Sequence, residues 1–172
     1  MRRLYIDFDG VVMDTIPLLY NELEKNGVKL GEESEIRRVF GSFDFSTIIK
    51  DKNILNDSIE CIHKLIDSKR FEISFFSHVN SLEDGVVKIK YLRKHFKDNI
   101  TIIIVPKSVA KPKMVHSEGA ILVDDFSGNL KEWEESGGIS IRFSKELEAH
   151  GFRVINRLDT LLEMFDENGD LV

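Results

Sequence analysis

Residues 4–15 read LYIDFDGVVMDT, a short apolar run that ends in two aspartates and a glycine. A run of this kind, Leu4 to Ile6, is typical of a buried parallel strand whose carboxyl end carries function. Residues two apart on an extended strand point the same way, so Asp7 and Asp9 should both reach the strand's end. Gly10 then allows a sharp turn without steric cost. The stretch predicts a first strand that delivers carboxylates to one edge of a sheet.

Beyond this strand, short apolar runs alternate with helical patterns. We predict four more strands, at residues 71–76, 100–105, 120–123 and 139–143. The helices between and after them are predicted at 56–67, 81–96 and 129–133, with a final one around 158–165. Alternating strands and helices indicate right-handed βαβ crossovers. The predicted fold class is therefore α/β, a doubly wound, Rossmann-like, mostly parallel sheet with helices on both faces.

The helix predicted at 81–96 has an apolar side and a charged side. Its apolar residues are expected to point inward (Leu82, Val86, Ile89, Leu92 and Phe96). On that reading Lys88 and Lys90 form a solvated face.

Residues 16–56 interrupt the alternation of strands and helices. A helical pattern starting at Ile16 runs to Gly27, and a charged stretch with phenylalanines at 40, 43 and 45 follows. We predict a small helical cap insert at 16–56, with the α/β core formed by 1–15 and 57–172. The three phenylalanines are either the core of the cap or a wall for base stacking. Trp133 is expected to be a core anchor.

Composition excludes several classes of partner. The 172 residues carry a formal net charge of −6, which argues against a nucleic-acid polymer as partner, because binding of such a polymer requires a basic face.

The arginines at positions 2 and 3 resemble the start of a signal peptide, but Asp7 and Asp9 interrupt the apolar stretch almost at once. No run approaches the roughly 18 apolar residues of a membrane span. Cys61 is the only cysteine, so a reducing compartment, by default the cytoplasm, is expected.

Strand ends also predict a metal site. The strand at 120–123 delivers Asp124 and Asp125 to the same edge as Asp7 and Asp9 if the two strands are neighbours. Like charges that close raise one another's pKa unless a cation lies among them. Mg²⁺ is the natural cation, since it prefers hard oxygen ligands and keeps waters that a phosphate can replace.

The segment DFDGVVMDT resembles the first motif of phosphatases of the haloacid-dehalogenase (HAD) superfamily. Three further motifs follow in that family's order: a strand ending at Ser77, a lysine at 113 or 111, and the acidic pair of ILVDD. The resemblance spans Leu4 to Phe143. DxDG alone is a weak signal, whereas four motifs in order, each at a strand end or helix start, are hard to produce by accident.

The resemblance implies a role for each matching residue. Asp7 would be the nucleophile that forms an aspartyl-phosphate. Asp9 would act as acid and then base, and its backbone carbonyl would bind Mg²⁺. Asp7 and Asp124 would supply the other protein ligands of the metal. Ser77 and the lysine would bind the phosphoryl oxygens. Gly10 and His78 are further candidates for substrate binding, but a structural or solvated role fits His78 and Asn80 as well, and the role of Asp125 stays open.

Two finer expectations concern the lysine and the branch of the family. Lys113 is favoured over Lys111, because its distance to Asp124 is close to that in the 5′(3′)-deoxyribonucleotidase branch. KIKYLRKHF and SGNLKEWEESGGISIRF also resemble that branch, so a nucleoside 5′-monophosphate is one candidate substrate. The stretch Ser77-His78-Val79-Asn80 departs from it, where characterised nucleotidases have a threonine-led sequence.

The function expected is Mg²⁺-dependent hydrolysis of a small phosphomonoester. Two alternatives remain at this point. One is a phosphotransferase or mutase of the same superfamily, although no large insert favours it. The other is a non-catalytic module that binds Mg²⁺ and phosphate; receiver domains, however, place their acidic pair on the first strand.

Overall fold

The computed structural model describes all residues, 1–172. Six strands form one sheet: β1 (Arg2–Ile6), β2 (Phe71–Val79), β3 (Thr101–Pro106), β4 (Ile121–Asp124), β5 (Ile139–Phe143) and β6 (Arg153–Ile155). Six α-helices accompany them: α1 (Ile16–Lys25), α2 (Glu33–Ser42), α3 (Ser58–Ser68), α4 (Leu82–His95), α5 (Ser127–Glu135) and α6 (Leu161–Met164). None of the helices combines the length and the apolar character that a membrane crossing requires.

The sheet has the order β3-β2-β1-β4-β5-β6, and every neighbouring pair is parallel. This confirms the predicted doubly wound α/β class. Strand β2 is longer than predicted, because Ser77 to Val79 continue to pair with Ile104 to Pro106 of β3. Ser77 therefore lies inside a strand instead of following one. Strand β6 was not predicted; it has only three residues and pairs with β5 at the sheet edge.

Side chains that alternate along the strands divide the core between the two faces of the sheet. In β1, Leu4 and Ile6 belong to the larger apolar cluster, whereas Tyr5 belongs to a smaller one on the other face. Helices α3 and α4 cover the first face, and α5 covers the second with Leu130 and Trp133. The Trp133 ring is fully buried and its Nε1 donates to the carbonyl of Ala120 at 2.9 Å, which confirms it as a core anchor.

The C-terminal end of the segment 16–56 is hydrogen-bonded to the residues just before its start. The amide of Asp14 donates to the carbonyl of Asn53, and the amide of Leu55 donates to that of Val12. Between these points lie α1, α2 and two short 3₁₀ turns. Phe40 and Phe45 are buried, and with Phe43 they form a group of tilted and edge-on rings with centroids 5.1–6.4 Å apart. The phenylalanines are therefore core, not an exposed wall for stacking.

The buried face of helix α4 agrees only in part with the one predicted. Ser81 caps its first turn by accepting from the amide of Asp84 at 3.1 Å. Leu82 and Val86 are 80% and 40% exposed, which makes their predicted burial wrong. Leu92 and Phe96 are buried as predicted, but the rest of the buried side carries Asp84, Gly85, Lys88 and Tyr91. Charged side chains take these inward positions because they pair with each other and with the end of β1.

Candidate active site

The acidic residues lie where the strand order reverses. Strand β1 has β2 on one side and β4 on the other, and in such sheets ligands bind at the carboxyl ends of the strands near this point. Ile6 pairs with Val123, and the amide of Asp7 donates to the Val123 carbonyl at 3.0 Å. This register places Asp7 beside Asp124, the last residue of β4. Both side chains are buried.

Lys111 joins the two carboxylates. Its Nζ donates to Asp7 Oδ1 at 2.9 Å and to Asp124 Oδ2 at 2.7 Å, and the side chain is fully buried. Burial opposes the charged form, but the carboxylates of Asp124 and Asp7 outweigh it, so the pKa of Lys111 lies above its ordinary value. The ammonium therefore stays charged at the point where an anion would bind.

Asp124 is held by further donors from the start of α5. Its Oδ1 accepts from the amide of Phe126 and its Oδ2 from Asn129 Nδ2, each at 2.9 Å. A carboxylate with donors on both oxygens has a fixed orientation. Asn129 thus has a structural reason for its place after the acidic pair.

Asp125 packs against the turn that follows β1. Gly10 has φ +74°, and a Cβ at that position would overlap the Asp125 carboxylate, so the turn requires glycine for two independent reasons. Burial, followed by the charges of Asp124, Asp7 and Asp9, raises the pKa of Asp125 to about 8. The predicted sharp turn is confirmed, and it serves this close approach.

One oxygen each from Asp7, Asp124 and Asp125 lies within 4.8 Å of the others. Burial raises the pKa of Asp7 to about 7 against the opposing charge of Lys111, with Asp124 and Asp9 adding to the rise. Burial first, and the neighbouring carboxylates second, disfavour the ionised forms of Asp7 and Asp125, and a divalent cation would offset both effects. Oxygen donors of this number and hardness fit Mg²⁺.

Asp9 turns its carboxylate to other partners. Its Oδ1 accepts from Thr15 Oγ1 at 2.6 Å, and its Oδ2 accepts from Lys88 Nζ at 2.5 Å. The Lys88 side chain is 1% exposed, so its predicted place on a solvated face is wrong. The carboxylates of Asp7 and Asp9 thus follow β1 together, as predicted, but each has its own lysine.

The second predicted motif lies on β2, beside Lys88. Ser77 is buried; its Oγ accepts from Lys88 Nζ at 3.2 Å and donates to the carbonyl of His78 at 3.0 Å. His78 Nε2 is 2.9 Å from the carbonyl of Val109, and burial lowers the pKa of the imidazole. Asn80 donates twice to Asp84, from its backbone and its side chain. His78 and Asn80 therefore have structural partners of their own.

Solved structures similar to this one share its architecture. A HAD-superfamily hydrolase, subfamily IA, variant 1, from Geobacter sulfurreducens is 14% identical, with a TM-score of 0.64 over 96% of this chain and 100% of the other. A putative HAD-hydrolase from Bacillus subtilis bound to magnesium is 12% identical, with a TM-score of 0.60 over 94% and 97%. D,D-heptose 1,7-bisphosphate phosphatase from B. bronchiseptica, complexed with magnesium and phosphate, is 17% identical, with a TM-score of 0.59 over 95% and 97%.

This chain has the fold of the HAD-superfamily hydrolases. No protein-family model and no curated protein matches its sequence. At these identities the similarity concerns the fold alone.

Within this HAD-type fold, the lysine beside the nucleophile candidate is Lys111. Lys113 is exposed at the end of the same 3₁₀ turn, so the structure brings Lys111, and not the favoured Lys113, to the acidic group. In a 3₁₀ turn successive side chains lie about 120° apart. Residues two apart, such as Lys111 and Lys113, therefore point in different directions, unlike residues two apart in a strand. Sequence distance to Asp124 says nothing about that direction.

Lys88 is a residue of the site that was not predicted from the sequence. Asp84, Lys88 and Leu92 recur at intervals of four, and that spacing places them on one helix face. An oppositely charged pair in line with a buried leucine was the available signal.

Proposed function

We propose that the chain is a phosphatase that hydrolyses a small phosphomonoester with Mg²⁺, through an aspartyl-phosphate on Asp7. The observation that carries the proposal is the buried Asp7 carboxylate, which lies at the switch point of the sheet between Lys111 and the acidic pair. The magnesium and phosphate described for similarly folded proteins support it.

In the first half-reaction, an oxygen of Asp7 attacks phosphorus and the bond from phosphorus to the leaving oxygen breaks. Asp9 gives that oxygen a proton, so the alcohol leaves uncharged. The Lys111 ammonium and the Ser77 hydroxyl bind the phosphoryl oxygens, where charge develops in the transition state. The Ser77 hydroxyl would turn from the His78 carbonyl to do so.

In the second half-reaction, water attacks the phosphorus of the aspartyl-phosphate. Asp9 takes the proton from this water, the bond from phosphorus to Asp7 breaks, and inorganic phosphate leaves. The Asp7 carboxylate and the protonated Asp9 are then restored. Both half-reactions use the same two aspartates in the same places.

The residues that would hold Mg²⁺ are Asp7, Asp124 and the backbone carbonyl of Asp9, with Asp125 beside them. When bound, Mg²⁺ supplies positive charge for the phosphoryl oxygens and offsets the crowding of the carboxylates. Lys111, which donates to both Asp7 and Asp124, would supply a further positive charge.

The substrate is a small molecule, and segment 16–56 acts as the cap insert over the core of 1–15 and 57–172. A nucleoside 5′-monophosphate, as in the 5′(3′)-deoxyribonucleotidase branch, is one class to test; burial of Phe40 and Phe45 removes those rings as base-stacking partners. The cytoplasm suits a chain whose only cysteine, Cys61, is free and buried.

A screen for phosphate release tests the proposal. With Mg²⁺ at neutral pH, the protein should release phosphate from p-nitrophenyl phosphate and from at least one of three classes: nucleotides, sugar phosphates or phosphoacids. Chelation by EDTA should reduce release to background, and added Mg²⁺ should restore it, because the carboxylates need the cation. Colorimetric phosphate assay measures both.

Three outcomes would contradict the proposal. Phosphate release that is unaffected by EDTA would show that the reaction does not need the metal. Substrate conversion without free phosphate would indicate a mutase or phosphotransferase. A phosphorylated Asp7 that persists for hours without turnover would indicate a binding module.

A further inference from the structure

Lys88 occupies a position that a structural ion pair alone does not explain. Its Nζ has hydrogen-bond contacts to four oxygens, at 2.5 Å to Asp9, 2.9 Å to the His78 carbonyl, 3.2 Å to Ser77 and 3.3 Å to Asp84. Asp84, one helical turn before it, would already balance its charge. An ammonium has only three protons, so all of them are engaged. The shortest contact is the one to Asp9.

The ammonium is anchored from two elements at once. Helix α4 carries the lysine, and β2 supplies the Ser77 and His78 oxygens that hold its Nζ in place. Burial of a charged group on this scale is tolerated only when it is fully paired. Lys88 therefore cannot shift without leaving buried acceptors unsatisfied, and its position is rigid.

Asp9 is held equally firmly. Thr15 and Lys88 each donate to one of its two oxygens. Each carboxylate oxygen keeps one further lone-pair site, so the group stays able to handle a proton in a direction fixed by its two donors. Without these two donors, the side chain of Asp9 would sample several rotamers in water.

We propose that Lys88 is a positioning residue that fixes the carboxylate of Asp9 in the orientation needed for proton transfer in both half-reactions. This inference rests on the proposed function. Lys88 is not one of the residues proposed to bind the phosphoryl group or the metal; its shortest contact is to Asp9, through which it acts, and its contact to Ser77 is longer. Removing it should therefore lower kcat with little change in KM.

The test is a double-mutant cycle on steady-state hydrolysis of p-nitrophenyl phosphate with Mg²⁺. Lys88→Met should reduce kcat about 100-fold, the scale of loss expected from a misplaced group, and change KM less than about 3-fold. Asp9→Asn should reduce kcat by about 10²–10⁴. In the Asp9→Asn background, Lys88→Met should change kcat less than about 3-fold, because the group it orients is gone. Lys90→Met, an exposed lysine on the same helix, should match the wild type.

Multiplicative losses in the cycle, or a fall in kcat/KM caused by KM alone, would overturn the positioning role while phosphatase activity stands. A wild type that releases no phosphate, like its Asp7→Asn variant, would overturn the proposed function and this inference with it. If Lys88→Met does not fold by circular dichroism, Asp84→Asn with Lys88→Met removes both charges of the helix pair. That double variant should show the same loss of kcat, and wild-type kcat in it would overturn the inference.

Discussion

Asparagine in place of Asp7 should reduce kcat for phosphate release by about 10⁴ or more, since loss of a covalent nucleophile is among the largest single-residue effects on catalysis. Asparagine keeps the shape of the side chain but not the attacking oxygen anion. Lys111 and Asp124 keep each other as partners. Steady-state phosphate release with Mg²⁺ at saturating substrate measures the loss.

A stability measurement separates a loss of chemistry in the Asp7→Asn variant from a loss of folding. Burial raises the pKa of Asp7 to about 7 in the folded protein, well above the ordinary value of an aspartate. A raised acid pKa means that stability present at low pH is lost as pH rises toward 7. In metal-free buffer at pH 8 the variant should therefore be at least as stable as the wild type in thermal unfolding. Asp67→Asn, the same change on an exposed part of α3, should keep full activity; wild-type turnover by Asp7→Asn would refute the nucleophile assignment.

Methionine in place of Lys111 should lower kcat/KM by about 10²–10³, the range for removal of one preorganised donor to a developing anion. The same change at Lys113 should alter kcat/KM less than about 2-fold, because that side chain is exposed and away from the carboxylates. The two lysines share one 3₁₀ turn, which makes Lys113→Met a matched control. Steady-state kinetics on p-nitrophenyl phosphate gives both values.

The Lys111→Met variant removes the ammonium group that Asp7 and Asp124 share. Its folding therefore has to be checked by circular dichroism with Mg²⁺ present. Lys111→Arg keeps the charge and serves as a second variant; it should retain more activity than Lys111→Met. A loss at position 113 alone would favour Lys113 as the phosphate-binding lysine. Equal losses at positions 111 and 113 would contradict the assignment of that role to Lys111 alone.

The fold was predictable because it depends on features that a single strand can display. Leu4 to Ile6, followed by Asp7, has the apolar run and the acidic end of a central parallel strand, and the same holds for Ile121 to Asp124. Pairing of these two strands then brings the carboxylates together. Strand β6 escaped prediction because three residues, Arg153 to Ile155, are too few to show a period.

The lysines were harder to place because their positions depend on tertiary pairing. A lysine in a helix favours the solvated face by default, and only the carboxylate of Asp9, far away in sequence, makes burial of Lys88 favourable. Lys111 differs from Lys113 only in the direction it takes from a short turn. The place of Lys111 depends on the pairing of β1 with β4, which brings Asp7 and Asp124 together.

Trapping of the covalent intermediate tests the central claim most directly. The wild-type protein, quenched in acid during turnover of p-nitrophenyl phosphate with Mg²⁺, should carry one phosphoryl group on the peptide that contains Asp7 by mass spectrometry, and the Asp7→Asn variant should carry none. A phosphoryl group on a different residue, or none at all under conditions where turnover and rapid quenching are both verified, would contradict the account.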